Sequence, residues 1–211
     1  MRCPVTYPVT VETRLPARFD RVQLLVRMLV LSVIGVLHQT TGGLLGALYL
    51  ALPVIVTVLL VQKGRSRFLS EDVRWLVAVL EWVVAVYAYL LFVTDRFPLP
   101  SNERAVRVVV RSDATPTAGR AALRLVTSVP HAIVLAILGI AASLIGFVAA
   151  VSILLVERYP EALWTFQRDV LAWMTRLFAY HSSLVDTYPP FSLGTADAVP
   201  PRHQGRVAPP L

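Results

Sequence analysis

Polar and apolar positions along this chain fall into three patterns, and each pattern occurs twice. Val9, Val11 and Thr13 alternate with Thr10, Glu12 and Arg14, the period-two signature of a short strand, and VRVVVR at Val106–Arg111 repeats it. A long uncharged stretch follows each strand. Leu125–Val156 runs for 32 residues without Asp, Glu, Lys or Arg, longer than the ~20 apolar residues that cross a bilayer. Such a run makes one strongly tilted helix or a tight hairpin; Pro130 and Gly139 offer bends, and the turn is expected at Gly139–Ala142. In the first half, spans are expected at Ala17–Leu37 and Leu44–Gln62, parted by the uncharged break His38–Gly43 and stopped by Lys63–Arg67.

The third pattern is a helix ending in an aromatic-proline stop. Ser70 is the expected N-cap of a helix over about 70–94, closed by Asp95-Arg96-Phe97-Pro98. In the helix over about 161–185, Leu163, Phe166, Val170, Trp173, Met174, Leu177 and Phe178 recur at spacings of three and four. Gln167, Arg168, Asp169, Arg176 and His181 line its other side, which predicts an amphipathic helix lying in a membrane interface.

These patterns align by residue type. Positions 97 apart pair Val9, Val11, Arg14 and Arg27 with Val106, Val108, Arg111 and Arg124. Positions 91 apart pair Arg67, Val79, Leu80, Trp82, Ala88, Tyr89, Asp95 and Pro98 with Arg158, Val170, Leu171, Trp173, Ala179, Tyr180, Asp186 and Pro189. The expected fold is an all-α integral membrane protein of two tandem repeats, each a short strand, a transmembrane helical hairpin and an amphipathic interfacial helix. The expected boundaries are a lead over 1–6, repeat 1 over 7–100 (hairpin about 17–62), repeat 2 over 101–193 (hairpin about 117–156), and a disordered proline-rich tail over 194–211.

Composition sharpens this picture. With 56% hydrophobic and 16% charged residues, the chain is more apolar and less charged than soluble domains. The net charge of +7 is almost wholly arginine, since Lys63 is the only lysine. The arginines flank apolar runs and form no separate basic domain, which argues against nucleic acid. Both expected hairpin turns are uncharged, so the positive-inside rule places the arginine clusters and both termini on the cytoplasmic side. Cys3 is the single cysteine, which excludes an intramolecular disulfide. No cleavable signal peptide is expected ahead of the first apolar run.

Candidate residues are few. Arg27 is expected at headgroup level, with its charge snorkelling to water. Trp82, Tyr89, Trp173 and Tyr180 are matched aromatics, expected as interfacial anchors or inter-helix packing. Arg67, Asp95, Arg158 and Asp186 recur at helix ends and are expected in structural ion pairs, crossed as Arg67–Asp186 and Arg158–Asp95. Glu81 inside an apolar helix and His131 behind Pro130 are the functional candidates, as ionisable groups near a membrane are by default. His131 has no second His or carboxylate at helical spacing, so a metal site is not expected.

With these residues laid out, the second half resembles the bacterial membrane family called domain of unknown function 4389. The resemblance rests on Arg124, Val129-Pro130-His131, Leu138-Gly139, Arg158-Tyr159-Pro160, Trp173, Ala179-Tyr180 and Asp186-x-Tyr188-Pro189-Pro190-Phe191. The first half is similar more loosely: it keeps Tyr7-Pro8-Val9, Trp82, Ala88-Tyr89 and Asp95-Arg96-Phe97-Pro98 but lacks the Pro-His pair and the second proline. The resemblance implies an architecture in two copies and brings no activity with it. The expected function is an accessory membrane subunit in the bacterial inner membrane, not an enzyme and without a cofactor. Its expected partners are lipids and other membrane subunits or itself. A transporter or channel component is the alternative, and a lipid-handling protein ranks behind both.

Overall fold

The two valine strands find each other. In the computed structural model, which describes residues 7–40, 44–98, 106–111 and 114–194 (without the side chains of 37–40 and 44–50), β1 (Val9–Thr13) pairs antiparallel with β2 (Val106–Val110). Val11 stands opposite Val108 at the centre of the register, with Val9 opposite Val110 and Thr13 opposite Val106. Alternation places Val9, Val11, Val106 and Val108 on the buried side.

The rest is mainly helical: α1 (Arg21–Thr40), α2 (Leu44–Arg67), α3 (Val73–Leu90), α4 (Ala118–Thr127), α5 (Val129–Val156) and α6 (Glu161–His181). The packing crosses between halves. Helix α6 lies on β1 and α3 on β2, α1 meets α5, α2 meets α4, and α3 meets α6. Leu76, Leu80, Val84 and Ala88 of α3 and Leu171 and Ala179 of α6 enter the same buried cluster as the strand valines.

Several elements differ from the pattern-based expectation. There is no turn at Gly139–Ala142: α5 is one 28-residue helix, about 42 Å long at ~1.5 Å per residue. A single Gly costs a helix only about 1 kcal/mol, and the surrounding Ala, Leu and Ile keep it helical. The break lies earlier, at Ser128, where α4 hands over to α5 and Pro130 occupies the first turn. The second half therefore has no hairpin within 117–156, and α6 is what returns alongside α5. In the first half, 38–40 complete α1, and 41–43 lie outside the described residues, as do the lead 1–6 and the tail from 195 onward. The α2 helix breaks at Gly64, at φ 75°, ψ 166°, a conformation suited to glycine.

Ser70 is not an N-cap. It sits in a π-helical turn (Phe68–Asp72) and donates to the Arg67 carbonyl. Lys63 closes this turn by binding Asp72 at 2.8 Å.

Helix α6 is not a surface helix. Gln167, Arg176 and His181, assigned to its wet side, are all buried. Each finds a polar partner there: Gln167 donates to the Ala142 carbonyl, Arg176 donates to the Ser192 and Gly194 carbonyls, and His181 Nδ1 shares a hydrogen bond with Ser128 Oγ. Arg168 and Asp169 pair with each other. Among the described residues two helical stretches are long and apolar enough to cross a membrane, Ala51–Leu90, which joins α2 to α3, and Val129–Val156. Along the second, Ile133, Ile137, Ile140, Leu144, Phe147, Leu154 and Leu155 remain exposed.

Both third helices end short of their expected limits, and by the same device. Phe92 and Ser183 adopt left-handed backbone, each at φ 60°. The amides of Phe92 and Val93 return to the carbonyls of Tyr89 and Ala88, and those of Ser183 and Leu184 return to Tyr180 and Ala179. These are Schellman closures with a side chain where glycine is usual. Ser183→Gly is expected to stabilise the fold by about 1 kcal/mol, because it relieves that conformation and removes a buried hydroxyl with no partner among the described residues. A raised thermal midpoint of the purified protein would register it.

Candidate functional site

Each closure presents carbonyls to an arginine from the first helix of the same half. Arg27 on α1 is 0% exposed; its Nη2 donates to the Thr94 carbonyl at 2.7 Å and lies 3.6 Å from Asp95 Oδ1. Its guanidinium lies 4.3 Å from the Tyr89 ring centre and 4.2 Å from that of Phe92. Arg124 on α4 is 3% exposed; Nη1 donates to the carbonyls of Tyr180 and Val185, and Nη2 reaches Asp186 Oδ1 at 2.6 Å. Its guanidinium lies 4.6 Å from the Tyr180 ring centre. Burying a guanidinium is costly unless hydrogen bonds and a counter-charge replace water. Here helix-end carbonyls, a carboxylate and an aromatic face do so.

The carboxylates complete the circuit. Asp95 Oδ2 accepts from the Asp20 amide at 2.7 Å, just before α1, and Asp186 Oδ2 accepts from the Thr115 amide at 2.6 Å and its hydroxyl at 2.9 Å, just before α4. Each aspartate thus ties the end of a third helix to the start of its own first helix. This corrects the crossed ion pairs. Asp95 takes Arg27 and Asp186 takes Arg124, while Arg67 and Arg158 are exposed.

Arg27 does not snorkel to water; its side chain is enclosed by the protein. The residues that organise both sites, Arg27 and Arg124, were visible as an aligned pair. The signal that marks them is that each lies in its half's first helix and the two fall 97 positions apart.

The second half carries more polar chemistry. Ser128 Oγ and His181 Nδ1 are 2.9 Å apart, both buried. His131, also buried, accepts from Trp173 Nε1 at 3.0 Å through Nδ1, which puts its proton on Nε2. Phe191 stacks on the His131 ring at 3.9 Å with 9° between planes. His131 is therefore a packed, hydrogen-bonded core residue.

The matched aromatics divide. Tyr89, Tyr180 and Trp173 are buried packing groups, and Tyr89 donates to the Gln23 carbonyl. Trp82 is 59% exposed where Trp173 is 4%. Glu81 is half-buried on α3 and engaged by a neighbour.

Among the described residues no three His, Cys, Asp or Glu side chains are placed to hold a metal. An open depression of about 300 Å³ is lined by Arg18, Phe19, Asp20, Arg21, Asp95 and Glu157. Its rim is already paired, since Arg18 and Arg21 both reach Glu157.

The chain is thus a mainly helical protein with two helices fit to cross a membrane and two buried arginine clasps. Residues 119–192 match the family model described as Domain of unknown function (DUF4389), a segment that takes in most of α4, all of α5 and α6, and the Arg124 clasp. No curated protein and no solved structure matches the chain.

The two aspartates respond oppositely to their surroundings. At Asp186, burial pushes the carboxyl up, but the amide and hydroxyl of Thr115 and the Arg124 charge outweigh it and hold it below the ordinary range. At Asp95, burial prevails over the Asp20 amide and the more distant Arg27, and holds it above that range. A depressed folded value means that Asp186 stabilises the fold above the ordinary carboxylate range, and that this contribution drains away as pH falls through the folded value. Asp95, with its raised value, favours the fold in its protonated form. Asp186→Asn is therefore expected to lower the thermal midpoint at neutral pH and to flatten its fall below about pH 5. Asp95→Asn should leave the neutral midpoint nearly unchanged.

Proposed function

We propose that this chain is an integral membrane protein of two tandem units, acting as an accessory subunit that packs within or stabilises a larger assembly in the bacterial inner membrane. The observation that carries this reading is where the reactive groups are spent. The buried arginines, aspartates, tyrosines and histidines hold helix ends and pack the interior, while the uncommitted surface is an apolar face on α1, α2 and α5. That distribution suits a scaffold embedded in lipid and packed against other spans or a second copy.

The duplication is supported by the register centred on Val11 and Val108, which are matched positions, and by the twin Arg–Tyr–Asp clasps with their twin Schellman closures. That both ends lie on one side is supported by Tyr7 donating to the Thr187 carbonyl at 3.0 Å, and the arginine-rich charge balance favours the cytoplasm as that side. A multi-pass arrangement draws on α5 as one crossing and on the apolar runs of α1 and α2.

Extraction in mild detergent followed by native sizing is the deciding measurement. Co-migration in fixed stoichiometry with other membrane proteins, or a stable homo-oligomer, is expected. A lone 23.3 kDa species would overturn the accessory reading and bring forward transport, for which half-buried Glu81 is the group to test. Orientation is read separately: a membrane-impermeant thiol reagent should reach Cys3 only after spheroplasts are opened, and labelling of intact spheroplasts would reverse the topology.

A further inference from the structure

Where α1 begins and α5 ends, the surface sinks into the depression of about 300 Å³ lined by Arg18, Phe19, Asp20, Arg21, Asp95 and Glu157. The seam around it is fixed by backbone contacts. The Phe19 amide donates to the Glu157 carbonyl at 3.0 Å, and Arg21 Nη2 donates to the Leu155 carbonyl at 3.4 Å. Val156 is the last residue of α5, so the depression lies at the level where that apolar helix gives way to charge.

The charges fall into two poles. Arg18 and Arg21 both reach the single carboxylate of Glu157, which leaves one positive charge in excess. Asp20 and Asp95 are joined by the Asp20 amide, which donates to Asp95 Oδ2 at 2.7 Å. Their cation is the buried Arg27, 3.6 Å from Asp95 Oδ1, which leaves one negative charge in excess. Asp20 spends one oxygen on the Val22 amide at 2.8 Å, and its other oxygen is uncommitted among the described residues. The side chains of Arg18 and Arg21 are 77% and 51% exposed, and ion pairs so open to water are weak. A phosphate accepts from both guanidiniums at once, so it can join or replace Glu157 there.

Apolar surface continues from the same place. Leu25 and Leu29 follow Arg21 at one and two turns on the same side of α1, and Val151 and Leu155 approach along α5; all four are exposed. A ligand that fits this arrangement carries a phosphate, a cationic N–H donor beside it, and hydrocarbon chains. An anionic headgroup without an amine leaves Asp20 unmatched, and a choline headgroup brings its charge without N–H donors.

We propose that this depression is a headgroup site for a phospholipid bearing a primary ammonium, with the phosphate on Arg18 and Arg21, the ammonium on Asp20 and Asp95, and the acyl chains along the exposed flanks of α1 and α5. The site rests on the membrane-protein reading of the chain and adds a specific lipid to it.

The test is native mass spectrometry of the full chain, extracted in mild detergent and offered equal amounts of phosphatidylethanolamine, phosphatidylglycerol and phosphatidylcholine. One phosphatidylethanolamine per chain is expected to be retained, with the other two held about 10-fold less well. Arg18→Ala combined with Arg21→Ala should weaken that retention by about 10-fold. Asp20→Asn should abolish the preference for ethanolamine over choline, while asparagine keeps the cap on the Val22 amide. Both variants should keep the wild-type thermal midpoint, because all three side chains are exposed. If the arginine variant does not fold, the headgroup preference of Asp20→Asn decides alone. Free phosphoethanolamine in excess should not displace the lipid.

Equal retention of the three lipids, wild-type retention in a folded double arginine variant, or an unchanged preference in Asp20→Asn overturns the proposal. So does displacement by free phosphoethanolamine, which would give the site to a soluble phosphate ester. Alkaline extraction of membranes separates the two readings: a chain released into the supernatant defeats the membrane reading itself, whereas a chain that stays with the membrane yet retains no lipid defeats only this site.

Discussion

A guanidinium with no access to water can persist only where the protein replaces its hydration, and here the ends of α3 and α6 do that. Helix C-termini leave carbonyls without intrahelical partners, and a buried arginine lacks acceptors. Each solves the other's problem. The left-handed residues Phe92 and Ser183 turn the chain so that the Thr94 and Val185 carbonyls face Arg27 and Arg124. The following aspartate then reaches back to the amide ahead of the first helix. Removing Arg124 would strand two carbonyls and a carboxylate, and removing Arg27 would strand one carbonyl and a carboxylate, so both contacts help to fix the first helix against the third.

The copies of this clasp are not equally tight. Arg124 meets Asp186 at 2.6 Å and takes two carbonyls, whereas Arg27 stands 3.6 Å from Asp95, and its Nε and Nη1 have no hydrogen-bond acceptor among the described residues. Around the tighter clasp lie the Ser128–His181 and His131–Trp173 contacts. In the first half, Leu31, Leu90 and Ile34 stand at the positions that match Ser128, His181 and His131. These positions are apolar in the first half, and the second half is where these buried polar contacts lie.

Much of this was legible in the chain. The strands were marked by alternation, α6 by its spacing of three and four, and the two arginine clasps by the aligned residues Arg27 and Arg124, Tyr89 and Tyr180, and Asp95 and Asp186. What the pattern could not reveal was which side of a helix is covered. Gln167, Arg176 and His181 look like a wet face because polarity alone does not distinguish water from a buried carbonyl as partner. The Gly139–Ala142 turn failed for a related reason: a glycine permits a bend but does not compel one, and nothing in the neighbouring sequence stops the helix. The crossed ion pairs failed because charge matching ignores that Asp95 and Asp186 are each delivered, by the left-handed residue before them, to the arginine of their own half.

The β1–β2 register has a consequence for how the protein is made. Neither half can complete the ribbon alone, since Val11 has no partner until Val108 exists. At ~5–20 residues per second of synthesis, the first strand waits on the order of 5–20 s for its complement. Through that interval its edge amides and carbonyls are unpaired, and closing so long a loop is entropically unfavourable until the flanking helices have been brought together. The ribbon is thus the last seam to close, and it seals a molecule whose two halves must already have met.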